Sequence, residues 1–237
     1  MNGWTNAAND GLGAHNYGDD GGPDDGAWSS GRKSTTMGGM FNDNDKIHYD
    51  GTNILVADRG TSSVIALTTS DTVSTVLGPD TTYLANVLDV ASDDDYIYTL
   101  ARSSNLYAYN TVVCKWDRDS TSTPEACNSV SVRWGVALTF YEDELFALQG
   151  GSTATAYRKV VILDATSSSL AATGKTIDYY SGISAYSYAS NIDVDENSGD
   201  MYIMYRDAYG TVRNYMRDSS GDYCASASCY VQYYSYS

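Results

Sequence analysis

Phenylalanine occurs only 3 times in these 237 residues, proline 3 times and histidine twice. Cationic side chains are also scarce, 14 against 30 acidic ones, which leaves a formal net charge of -16. No stretch approaches the ~20 apolar residues a membrane-spanning helix needs. No run sets Leu, Ala, Glu and Lys at helical spacing. Each shortage excludes something. A surface this anionic repels phosphate backbones and anionic headgroups, so nucleic acid is not an expected partner and no transmembrane segment is expected. The two histidines, His15 and His48, cannot form a triad with a nearby Ser. GxSxG, HExxH, P-loop and Rossmann glycine patterns are all missing, so no catalytic set is expected. The start, "MNGWTNAAND", lacks the basic and apolar regions of a signal peptide. A secreted form is therefore expected to be mature or truncated, or to travel by another route. None of the asparagines lies in an N-x-Ser/Thr sequon, so N-glycosylation is not expected.

What is abundant points one way. Tyrosine alone contributes 22 residues, and with Ser, Thr, Gly and Val it favours strands and tight turns over helices. The expected fold class is all-β. The four cysteines fall into two local pairs, Cys114 with Cys127 and Cys224 with Cys229. Four cysteines allow three connectivities, and neither pair has zinc-knuckle spacing. Two small disulfide loops are expected, and with them an extracellular or cell-surface location.

The strongest signal is internal repetition. "KIHYDGTNILVADRGTSSVIAL" (46–67), "NVLDVASDDDYIYTLARSSNLYAY" (86–109), "GVALTFYEDELFALQGGSTATAYRKVVIL" (135–163) and "NIDVDENSGDMYIMYRDAYGTVRNYM" (191–216) share one order. Each reads as a strand, a polar turn, a second strand, another turn and a third strand. A candidate fourth strand follows each: "TVSTVL", "TVVCKW", "LAATGKTI" and "YVQYYSY". A lone four-stranded sheet has two open edges and two faces to bury, and radial stacking of such sheets solves both problems. On these residues the chain resembles NHL-type and related six-bladed-like propeller repeats, with "YDGTNILVADRGTSSVIAL" as the nearest match. The resemblance implies a β-propeller and specifies fold rather than activity. The expected blades are 46–85, 86–131, 132–182 and 183–237. Residues 1–45 are read as an N-terminal Gly/Asp/Asn-rich arm or partial, degenerate fifth blade. Trp4 and Trp28 are its candidate docking anchors.

Two sets of residues stand out within the repeats. The second strand ends in Arg59, Arg102, Gln149 or Arg206, read as interblade ties and alternatively as a positive ring at one channel mouth. The acidic run holding Asp193, Asp195, Asn197 and Asp200 offers oxygens at the first positions of a calcium loop. It then departs from that pattern, with Ser198 where glycine is needed and Met204 where a bidentate Glu is needed. Repetition makes it a hairpin turn first, with calcium as the only candidate ion. Alternating tyrosines such as "YYSGISAYSY" could stack sugars or form a protein interface, but they are also what a half-exposed strand looks like. The expected function is a non-catalytic, extracellular structural or interaction propeller. It is expected to self-associate as a homo-oligomer or polymer (a surface layer or filament subunit), or to bind other extracellular proteins. The alternatives are a calcium-dependent propeller hydrolase or lactonase, and a carbohydrate-binding lectin-like propeller.

Overall fold

The computed structural model describes residues 46–68, 72–102, 110–150, 158–179, 188–206, 211–217, 222–223 and 230–233. Within them there are sixteen strands and no helix, so no helix is long and apolar enough to cross a membrane. The strands form four antiparallel four-stranded sheets, each a meander in chain order. The first holds β1 (Lys46–Tyr49), β2 (Ile54–Asp58), β3 (Ser63–Leu67) and β4 (Val73–Leu77). The second holds β5 (Val87–Ser92), β6 (Tyr96–Arg102), β7 (Thr111–Asp117) and β8 (Ala126–Asn128). The third holds β9 (Gly135–Tyr141), β10 (Glu144–Gln149), β11 (Lys159–Asp164) and β12 (Ala172–Asp178). The fourth holds β13 (Tyr188–Val194), β14 (Met201–Arg206), β15 (Val212–Tyr215) and β16 (Tyr230–Tyr233). Together they form a four-bladed β-propeller, with β1, β5, β9 and β13 innermost.

Three separate cores join successive blades. Leu55, Val64 and Leu77 pack with Val90, Ile97 and Trp116 between blades one and two. Leu100 and Val113 pack with Leu145 and Leu163 between blades two and three. Phe146 and Ile162 pack with Ile203, Tyr205 and Tyr215 between blades three and four. Among the described residues no such core joins blade four to blade one. The outward face of blade one leaves Ile47 at 62% and Tyr49 at 64% exposure, with Ile54 also exposed. The outward face of blade four exposes Met204 and Val231. On the face of blade one that carries Ile47, Val56 and Ile65 are nonetheless buried; this junction of blades four and one, with no shared core among the described residues, is the seam.

Four of the tyrosines fill the interior. Tyr98, Tyr179, Tyr205 and Tyr215 are fully buried, and Tyr98 stacks on Phe140 with ring centroids 5.4 Å apart. Their hydroxyls find partners: Tyr98 donates to Asp93, and Tyr179 donates to the Gln149 carbonyl. A phenol whose tip is hydrogen-bonded can substitute for phenylalanine in a core. Tyr179 is the first residue of "YYSGISAYSY", and 180–187 lie outside the described residues.

One strand assignment is corrected. "TVVCKW" is the third strand of its blade rather than the fourth, because β7 pairs along the whole of β6, from Tyr96↔Asp117 to Arg102↔Thr111. The fourth strand is the short β8. It is held opposite β7 by the Cys114–Cys127 disulfide, whose two residues are direct register partners. The second cysteine pair, Cys224 and Cys229, lies outside the described residues, as do Trp4 and Trp28. The 13-residue separation of Cys114 and Cys127 closes a short loop. Replacing both with alanine is expected to cost about 2–3 kcal/mol, from the chain entropy released in the unfolded state. Urea unfolding of the double variant checks this.

Candidate functional site

The site is the propeller axis, and a repeated irregularity builds it. Each of the three later inner strands shifts register near its start, around Leu88 in β5, Val136 in β9 and Ser190 in β13. A bulge leaves one residue out of the ladder and its backbone groups unpaired. Lys46, the first residue of β1, supplies the missing donor. Its Nζ donates to the Val136 carbonyl at 2.9 Å and the Ser190 carbonyl at 3.0 Å. It also reaches Asn191 Oδ1 at 3.1 Å and Asp89 Oδ2 at 3.3 Å. One ammonium thus touches the inner strands of all three other blades. Asp89 is buried and fixed in place, accepting from the Leu138 amide at 2.8 Å and the Val90 amide at 3.0 Å. Burial pushes its carboxyl above the usual range, against the opposing pull of Lys46 and the two amides.

Two residues further along β1, His48 Nε2 lies 2.9 Å from Ser92 Oγ on β5. Sequence spacing offers no triad of a histidine with a nearby Ser; the fold brings His48 beside Ser92, 44 positions away. Burial lowers the His48 pKa below 6.5, with Arg118 adding to the effect and Asp50, Asp193 and Glu196 opposing it. A histidine depressed in the fold lets the unfolded chain protonate first. The stability contributed by its neutral form is therefore full above pH 6.5 and lost as pH falls below it. The midpoint of thermal unfolding is expected to drop between pH 7 and 5, and to drop less in His48→Gln.

The acidic turns have a structural use that recurs. Asp50 Oδ1 accepts from the Thr52 and Asn53 amides, Asp93 Oδ1 from Asp95 and Tyr96, and Asp195 Oδ1 from Asn197 and Ser198. These are side-chain-capped hairpin turns at equivalent positions in three blades. Of the four candidate calcium residues, Asp193 bonds the next amide, Asp200 accepts from the Arg217 amide, Asn197 donates its own amide to Asp195, and Asp195 caps the turn. Met204 sits on β14. No group of three His, Cys, Asp or Glu side chains converges among the described residues.

The repeat-equivalent junction residues lie at the ends of second strands. Arg59 follows β2, while Arg102, Gln149 and Arg206 end β6, β10 and β14. Arg59 Nε reaches Asn86 Oδ1 of the next blade at 3.4 Å, and Gln149 Nε2 reaches the Ser131 carbonyl at 3.4 Å. Burial and the nearby Arg59 charge together lower the Arg102 pKa. Shorter interblade ties come from arginines that sequence spacing did not single out. Arg118 pairs with Asp50 at 2.9 Å and donates to the Asp93 carbonyl, joining blade two to blade one. Arg217 pairs with Glu142 at 2.9 Å, joining blade four to blade three. Both arginines follow the third strand of their blades, which is the signal that would have found them.

No protein-family profile matches the chain, and no curated protein matches it. Among solved structures it is similar to a streptogramin B lyase, with a TM-score of 0.50 and 11% identity over 80% of this chain. It is also similar to a chain of a nidogen/laminin complex, with a TM-score of 0.52 and 12% identity over 78% of this chain. At such identities the likeness is one of fold. The chain spans 54% and 64% of the length of those two proteins.

Proposed function

We propose that the chain is a non-catalytic, extracellular structural or interaction module that associates with further copies of itself, as a surface layer or filament subunit. The observation that carries this reading is the seam. Two unlike sets of exposed apolar side chains, Ile47, Tyr49 and Ile54 on blade one and Met204 and Val231 on blade four, share no core among the described residues. Exposed apolar surface of this kind marks interaction sites. Unlike faces on one molecule make heterologous contacts, which propagate into open chains when the rotation does not close. Residues 1–45 directly precede β1 in the sequence. In this reading the arm of one copy places Trp4 and Trp28 in the seam of the next. The Cys114–Cys127 disulfide fits an oxidising compartment. An ammonium held by all three opposing inner strands also occupies the part of the axis that a substrate would have to enter.

Light scattering on three samples tests this: the full chain, a chain lacking residues 1–40, and Ile47→Asp/Tyr49→Asp. The full chain is expected well above its 25.6 kDa subunit mass, and both variants near it. A monomeric full chain overturns self-association, and an oligomer that survives the deletion overturns the role of the arm. A second reading, a hydrolase working on the axis, has the His48–Ser92 pair in its favour. Covalent labelling of Ser92 by a fluorophosphonate would support it, and an unlabelled Ser92 would remove its one argument.

A further inference from the structure

We propose that Lys46 and Asn191 become joined by an intramolecular amide bond that ties the inner strand of the first blade to the inner strand of the last. Three side chains from three blades carry the inference. Lys46 Nζ lies 3.1 Å from Asn191 Oδ1 and 3.3 Å from Asp89 Oδ2. An amine that reaches both a carboxamide and a buried carboxyl group has beside it the groups such a condensation requires: nucleophile, electrophile and proton relay. The geometry is also held. The Val136 and Ser190 carbonyls fix Nζ on the axis, and the Leu138 and Val90 amides fix the Asp89 carboxyl. Holding reactants in contact replaces a bimolecular encounter with an intramolecular one, the largest saving open to a slow amide exchange.

The step balances without an oxidant or co-reactant. Asp89 takes one proton from the Lys46 ammonium, a transfer favoured by burial that already raises its proton affinity. The amine lone pair attacks Asn191 Cγ and the new C–N bond forms. Asp89 returns its proton to Nδ2, the Cγ–Nδ2 bond breaks and ammonia departs. The extra proton on the new amide nitrogen passes to Asp89 and on to solvent. Asn191 is exposed, so ammonia has a direct way out.

Blades one and four share no core among the described residues, and an amide across the axis would tie these two blades together. This inference stands whether or not copies associate. Intact mass spectrometry of the reduced full chain is expected to read about 17 Da below the sequence mass, the loss of one ammonia. A digest is expected to yield one cross-linked species joining the Lys46 peptide to the Asn191 peptide. Asn191→Ala, at an exposed position, and Asp89→Asn, which keeps an acceptor for Leu138, are each expected to restore the full mass. A wild-type chain at full sequence mass overturns the proposal, and so does a deficit that persists in Asn191→Ala.

Discussion

Replacing Trp116 with alanine is expected to destabilise the protein by about 3–5 kcal/mol, the range for deleting a large buried aromatic side chain. Trp116 is 1% exposed and lies in the core between blades one and two. Its ring meets Tyr83 edge-on, with centroids 6.1 Å apart. Its indole N–H donates to Thr99 Oγ1 at 2.9 Å, and Thr99 is itself fully buried. Alanine would leave both a cavity and an orphaned hydroxyl. Phenylalanine would refill much of the space and leave only the orphan, at an expected cost of about 1–2 kcal/mol. Because the three interblade cores are separate, the damage should be local. Hydrogen exchange is expected to show protection lost first in residues 46–77, with blades three and four holding on. Uniform loss across all four blades would show that the cores are not independent.

The second large effect is expected at the axis. Measured against chains in which Lys46 is still an ammonium, Asp89→Ala strips the Leu138 and Val90 amides of their acceptors and removes the one carboxylate that pairs with Lys46 among the described residues. Breaking a buried ion pair by deleting one partner costs about 3–5 kcal/mol. The Lys46 side chain keeps 23% exposure and three other oxygens, so the lower end, about 3 kcal/mol, is expected. Asp89→Asn keeps an acceptor for one of the two amides, which bond different carboxylate oxygens, and should cost less. Equal losses for the two variants would mean that charge, rather than hydrogen bonding, holds the inner strands in place. Denaturant unfolding of the pair decides between these.

The sequence was legible where the physics is local. Turn chemistry depends on a few neighbouring residues, so "YDGTN", "SDDDY" and "DENSGD" announced hairpins, and the strands on either side followed from their apolar patterns. The junctions at Arg59, Arg102, Gln149 and Arg206 likewise aligned with the ends of second strands, because a repeat fixes spacing along the chain. What stayed hidden depends on contacts across the ring. Short, polar β8 carries little apolar pattern, so β7 was placed one strand too far out. The pairing of His48 with Ser92 joins residues in different blades that only parallel inner strands bring side by side. The role of Lys46 depends on bulges at Leu88, Val136 and Ser190, and a bulge is a property of register, which composition does not encode. The tyrosines suggested a surface because they are polar at the tip, yet a core that satisfies each hydroxyl takes them in at little cost.

The central proposal is that the junction of blades four and one makes this propeller a building block for further copies. Electron microscopy of the purified 237-residue chain tests this most directly. Linear or layered arrays of repeating subunits are the expected image. A field of isolated particles of one 25.6 kDa subunit, at concentrations where the full chain is soluble, would contradict it.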